Sequence, residues 1–141
     1  MKIWGPYLWG ILHAFGEKTG KGLERCRIDE ARELRWMIDN LETIVPCRIC
    51  SRHIEEYRRI HHPPQIQEEY KRWFWSFHES VNKRLGKEEY PFESVKGDCN
   101  IREVWKEYKN TMRQYTILRR IDWKRIEDFN RHLNLWLGYL G

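Results

Sequence analysis

Apolar residues recur along this chain at steps of three and four, the spacing that puts them on one side of a helix. Leu8, Ile11, Leu12 and Phe15 mark a first helix. Pro6 suits its first turn, where the missing N–H costs nothing. Gly16, Gly20 and Gly22 are expected to end it and form a flexible loop. Asp29 is read as the N-cap of a second helix, which carries Leu34, Met37, Ile38, Leu41, Ile44 and Val45 until Pro46 stops it. A third helix is expected from about Cys47, with Cys50, Ile54 and Tyr57 on its apolar side, ending at His61-His62-Pro63-Pro64 because a residue before proline disfavours helix. A fourth runs from about Ile66 to Leu85 on a stripe of Ile66, Tyr70, Trp73, Phe77 and Val81, with Lys83 and Arg84 in the last turn and Gly86 at C′.

Residues 87–98 read as loop. Ile101, Val104, Trp105, Tyr108, Met112 and Tyr115 then mark a further helix. A last one carries Ile126, Phe129, Leu133, Trp136, Leu137 and Leu140, capped by Asp122. Strand-type alternation is nowhere evident. The expected fold is all-α, a four-helix bundle over residues 1–98 with a C-terminal helical extension, 99–141, packed on the same domain.

Composition narrows the functional classes. At 141 residues one domain with a real core is expected. The net charge of +5 is spread among interleaved acids, which makes a solvated surface of it rather than a nucleic-acid site. No apolar run is long enough to span a membrane, and the N-terminus lacks the pattern of a signal peptide, so the cytoplasm is the expected compartment. Eight tryptophans and seven tyrosines are an unusual number, and rings at that density either pack a small core or line a site for a flat ligand.

The candidate chemistry centres on Pro46-Cys47-Arg48-Ile49-Cys50-Ser51-Arg52-His53. Two cysteines three apart at a helix start put both sulfurs on one face, the first where the helix dipole favours a thiolate. That suits dithiol–disulfide exchange, in which an outer sulfur meets the substrate and an inner one passes electrons on. A zinc site is the rival reading, with Cys47, Cys50, His53 and His61 or His62 as ligands, although no second ligand pair stands at zinc spacing. Inert buried thiols are a third. Two outlying stretches bear on the choice: Trp9…His13 on the first helix, and His78…Asn82, one turn apart on the fourth, beside Trp75.

Together these residues resemble the Erv/ALR family of FAD-linked sulfhydryl oxidases. The resemblance rests on Trp9-x-x-x-His13, Pro46-Cys47-x-x-Cys50-x-x-His53 and His78-Glu79-Ser80-Val81-Asn82-Lys83-Arg84-Leu85-Gly86-Lys87, in family order and spacing. With Trp4-Gly5-Pro6 and the short length, the chain looks most like versions encoded by large cytoplasmic DNA viruses, which would place it in the host cytoplasm or the virion. The resemblance implies a homodimer with FAD at the mouth of the bundle. It implies Cys47 as the outer sulfur and Cys50 as the inner one beside the flavin. Trp9, His13, Cys50, His53, His78, Asn82, Lys83 and Lys87 would form the cofactor site, the two lysines near the phosphates. Substrate dithiols of a partner protein would pass electrons through Cys47–Cys50 and FAD to oxygen, giving hydrogen peroxide. The alternative remains a small helical zinc-binding adaptor.

The chain departs from the family in four places. Glu79 stands where asparagine is usual, and Pro6 where arginine is common. Trp75 replaces the helix cysteine of a structural disulfide whose loop partner would be Cys99, leaving Cys99 free or paired with Cys26. A second, shuttling Cys-x-x-Cys is missing, so electrons are expected to enter at Cys47 directly from a partner protein. The tail after residue 100, rich in Trp105, Tyr108, Tyr115, Trp123 and Trp136, is read as packing on the bundle or as a docking surface.

Overall fold

A computed structural model describes residues 3–141, and among them the regular structure is entirely helical. The helices are α1 (Gly5–Lys18), α2 (Arg27–Asp39), α3 (Arg48–Ile60), α4 (Tyr70–Arg84), α5 (Ile101–Ile117) and α6 (Trp123–Leu140), with single 3-10 turns between several of them. None is long and apolar enough to cross a membrane. Helix α1 lies between α4 and α5, while α6 packs along α2.

Several boundaries differ from the sequence expectation, each for a local reason. Gly16 does not end α1 but sits inside it. A Cβ there would stand 2.8 Å from the Lys71 backbone, so glycine lets α4 cross α1 closely. Asp29 is not a cap. A 3-10 turn at Glu24–Cys26 starts α2 earlier, and Asp29 lies in the first turn, paired with Arg32 at 3.0 Å. The acid that organises this entrance is Glu30, buried and accepting from Thr19 Oγ1 and the Gly20 N–H. The long second helix ends at Asp39, and Leu41–Ile44 form a separate 3-10 turn. On α4 Tyr70 and Phe77 are buried as expected and Phe74, wholly buried, joins them, whereas Ile66 precedes the helix and is exposed. Asp122 does cap α6, accepting from the Lys124 N–H, and Gly86 takes φ +70 after α4. Asn100 caps α5 in the same way through the Glu103 N–H, a signal overlooked in the sequence.

The two C-terminal helices are bound into the core rather than appended to it. Tyr108 is fully buried on α5 and its hydroxyl donates to the Ile44 carbonyl at 2.6 Å. That bond ties α5 to the turn that leads into Pro46-Cys47. On α6, Trp136 meets Phe15 edge-on at 4.9 Å. His132 stacks on Trp36 at 3.6 Å and reaches Glu33 of α2 through Nδ1 at 2.5 Å. Helix α5 closes with an unusual residue. Arg119 takes φ +58 while the Arg120 N–H bonds back to the Tyr115 carbonyl. Glycine is the ordinary occupant of that left-handed position, and a residue with a Cβ costs about 1 kcal/mol there.

Candidate functional site

Pro46 ends the turn after α2, and Cys47 takes an extended conformation as the N-cap of α3. Its sulfur accepts the Cys50 N–H at 3.3 Å, a bond that a serine or aspartate oxygen makes at other helix starts. Ser51 fastens the same turn by donating to the Glu42 and Val45 carbonyls. The two sulfurs lie 2.6 Å apart. The sulfurs are thus already placed for a disulfide, which forms when the pair loses two electrons and two protons. They occupy different surroundings. Cys47 lines an open groove, and Cys50 faces α4, where the Arg84 guanidinium stands 4.0 Å from its sulfur. Burial pushes the Cys50 thiol above its ordinary range, the hydrogen bond with Cys47 adds to this, and Arg84 opposes it.

The second cluster joins α1 to α4. Trp9 and His78 stack nearly parallel at 3.8 Å, and the rings of His13 and His78 share a hydrogen bond, Nε2 to Nδ1, at 2.9 Å. Burial lowers both histidines to about 4, with His78 adding to the effect on His13 and Lys87 to that on His78. Both rings are therefore neutral near pH 7, and one donates to the other. The remaining nitrogen of His13, Nδ1, is buried without a hydrogen-bond partner. Such an orphan costs free energy unless a bound group completes it.

His53 projects from α3 toward α4, its Nε2 2.9 Å from Ser80 Oγ. Ser80 already donates its single proton to the Phe77 carbonyl at 2.6 Å, so His53 is the donor and its Nδ1 is left as an acceptor. Burial lowers this histidine too, with help from the Arg84 charge. Phe77 lies between the clusters, 5.3 Å from Trp9 and 6.0 Å from His53 by ring centres.

A cavity of about 370 Å³ opens beside His13 and His78 and is rimmed by Asn82, Lys87, Glu88, Tyr90, Val95 and Lys96, two cations against one acid. Its far wall is the loop after α4, held in place by two contacts. Glu79 accepts both the Tyr90 N–H and the Asn82 amide, and the Trp75 indole donates to the Tyr90 carbonyl at 2.7 Å. Trp75 thus turns to the loop rather than standing with His78. It anchors that loop where the expected family pattern has a disulfide. Gly97 brings the loop against α1 so closely that a Cβ would stand 2.5 Å from the His13 carbonyl oxygen. Cys99 is unbonded, its thiol donating to the Gly10 carbonyl, and Cys26 is unbonded as well.

Trp9, His13, His78, Asn82 and Lys87 are therefore brought together, and His53 with Cys50 forms a neighbouring group. Lys83 is exposed and does not line the cavity, whereas Lys96 does. Ser80 and Arg84 complete the arrangement. Both fall on the α4 side that meets α3, but only their three- and four-residue offsets from Phe77 and Ser80 marked them in the sequence. The ligands a zinc reading would need are not gathered in one place among the described residues. His53 keeps Nδ1 as an acceptor, but His61 lies eleven residues beyond Cys50 along α3, roughly 16 Å away. Among the described residues no group of three or more histidine, cysteine or acidic side chains converges on one point.

The arrangement suits a flavin nucleotide. A stacked Trp9–His78 pair offers a flat face, Lys87 and Lys96 offer charge for phosphates, and the orphan His13 nitrogen offers an unfilled hydrogen bond. Comparison with known proteins points the same way. The sequence model of the Erv1 / Alr family matches residues 6–109. An African swine fever virus protein named FAD-linked sulfhydryl oxidase is 28% identical over 129 residues, covering 90% of this chain and 93% of the viral one. The Arabidopsis thaliana protein named FAD-linked sulfhydryl oxidase ERV1 is 31% identical over 93 residues, 64% of this chain and 47% of the plant protein. No solved structure matches the chain significantly.

Proposed function

The chain belongs to the Erv1/Alr family of FAD-linked sulfhydryl oxidases, and from that premise we propose that it makes disulfides in partner proteins, with Cys47 as the entrance for electrons. One observation carries this reading: of two sulfurs 2.6 Å apart, only Cys47 lines an open groove, while Cys50 turns inward to α4. In the oxidised enzyme a substrate thiolate attacks Cys47 Sγ. A bond forms between the two, the Cys47–Cys50 bond breaks, and the electron pair leaves on Cys50. Arg84 is placed to steady that charge. A second substrate thiol then attacks the substrate sulfur of the mixed disulfide, and Cys47 leaves with its pair. The substrate has lost two electrons and two protons, and the enzyme holds a dithiol.

When bound, FAD supplies the two-electron chemistry that restores the Cys47–Cys50 disulfide and delivers the electrons to oxygen as hydrogen peroxide. The residues we assign to holding it are Trp9, His13, His53, His78, Asn82 and Lys87, with Cys50 at its redox end and Lys96 joining Lys87 near its phosphates in the place expected of Lys83, which lies outside the cavity. Trp9 and His78 present a flat, uncharged surface. The neutral His13 orients His78 through their shared hydrogen bond, and Ser80 fixes the His53 ring beside Cys50. We take residues 1–98 as the catalytic bundle and 99–141 as its extension. We further assign a homodimer. Its contact must use surfaces other than those of α1 and α2 that α5 and α6 cover, and a monomer mass in sedimentation at micromolar protein would overturn that assignment.

The test of the main reading is one visible spectrum and one oxygen electrode. Purified protein should show flavin absorbance and consume oxygen when given dithiothreitol. Colourless protein carrying stoichiometric zinc would overturn it.

A further inference from the structure

The groove beside Cys47 has a volume of about 730 Å³ and two unlike walls. One is the start of α3, with Cys47, Arg48 and Ile49. The other comes from the C-terminal end of α5, with Tyr115, Arg119 and Arg120. The expected family core does not need that second wall, yet the Tyr108 bond to Ile44 fixes it against the cysteine turn.

The charge in the groove is one-sided. Arg48, Arg119 and Arg120 are exposed, and none makes an ion pair or a side-chain hydrogen bond among the described residues. The one acid on the lining, Glu42, is already held by Arg58 at 2.6 Å. Between the arginines, Ile49 stands 65% exposed, an apolar side chain without a partner. Arg119 sharpens the point. It occupies a left-handed position that glycine would take without strain, so the backbone gives no reason for an arginine there. What the side chain adds is a third guanidinium on the rim of the Cys47 groove.

We propose that this groove docks an acidic, cysteine-bearing segment of the thiol protein substrate, with Arg48, Arg119 and Arg120 selecting it by charge. The proposal rests on Cys47 being the point where substrate electrons enter. A nucleic acid would also meet the arginines, but it has no thiol for the sulfur that lines the same groove. Charge on a rim acts mainly on encounter and selectivity, and salt screens it. The extension would then be a specificity element that brings the substrate segment to Cys47.

The probes are two peptides, each with one Cys-Gly-Gly-Cys, flanked by glutamates in one and by lysines in the other. The full-length holoenzyme should oxidise the acidic peptide with a kcat/KM about tenfold higher at low ionic strength, the ratio shrinking toward unity in about 1 M salt. Arg119→Gly, which suits the backbone, should lower that ratio about twofold, and the triple variant with Arg48→Gln and Arg120→Gln should bring it near unity. Fluorescence anisotropy with acidic and basic peptides carrying serine for cysteine should show the same order of affinity without turnover. A ratio near unity in the wild-type enzyme, or one that both variants leave unmoved, would overturn the proposal while leaving the oxidase reading intact. Tighter binding of a single-stranded oligonucleotide than of the acidic peptide would overturn it as well. Failure to oxidise even dithiothreitol would instead strike the oxidase reading beneath it.

Discussion

The two halves of the proposed relay sit in opposite environments. Around His13 and His78 the rings are stacked, hydrogen-bonded to each other and largely withdrawn from water. Around Cys47 the side chains stand in an open groove, and its arginines make no ion pair among the described residues. The difference follows from what each must do. A cofactor site gains from groups fixed before the ligand arrives, because ordering them later would cost affinity. A thiol that exchanges with a folded protein needs access, and a reach of a few ångströms in many directions. The same bundle supplies both because α3 presents Cys47 at its exposed N-terminus and Cys50 one turn deeper.

The largest effect that separates the halves is chemical. Cys50→Ser should lower dithiothreitol-dependent oxygen uptake roughly a thousandfold while flavin absorbance persists, since the serine cannot relay the electrons but leaves the ring cluster intact. Retained activity in that variant would remove Cys50 from its assigned role. The next effect belongs to the buried half alone. Burial lowers His13 and His78 in the folded protein from 6.5 to about 4. Above pH 6.5 both states are neutral and the stability is complete. As pH falls from 6.5 toward 4, the unfolded chain takes up protons that the folded one refuses, and stability drops. Between about pH 7 and about pH 5 the flavin-free protein should become progressively easier to unfold in urea titrations, and His78→Gln should remove part of that slope. A flat profile would mean that the two rings titrate in the folded protein as they do in the unfolded chain, and that burial does not hold them neutral.

Much of this contrast was legible in the sequence, because its largest parts are periodic or local. The apolar stripes gave the six helices, and the Cys-x-x-Cys spacing predicted two sulfurs on one face of α3. The boundaries were read less well. A 3-10 turn such as Glu24–Cys26 has no period of its own, and Glu30 caps a loop from inside a helix, which no local pattern announces. Gly16 looked like a helix end, since its use is a close crossing visible only with α4 in place. Tertiary pairs were the least legible. Nothing in the separation of His53 from Ser80, of Cys50 from Arg84, or of Cys47 from Arg119 marks them as neighbours. The loop tie through Trp75 was read as a missing disulfide, and the indole bond that stands there instead depends on where the Tyr90 carbonyl falls.

A smaller effect tests how firmly the open half is attached to the rest. Tyr108 is the buried link between α5 and the turn before Cys47. Tyr108→Phe leaves the Ile44 carbonyl without that donor and should cost about 1–2 kcal/mol in urea unfolding. If α5 serves only as packing, the loss should end there. If it holds one wall of the groove, the preference for the acidic peptide should fall in the same variant.

The smallest effect is also the most discriminating, because its sign differs between the two roles open to Arg119. A residue kept for the fold should cost stability when replaced. At φ +58 the opposite is expected, since glycine relieves the strain of a Cβ in the left-handed region. Part of that relief is offset by the greater freedom glycine gives the unfolded chain. Arg119→Gly should therefore raise stability slightly, by about 0.5 kcal/mol, and shift the urea midpoint upward by a correspondingly small amount. A destabilised variant would show that the arginine is a structural cap for α5. A variant both more stable and less selective would show that the chain accepts local strain to keep a cation at the rim of the groove. In that case the buried half is built for stability and the open half for recognition.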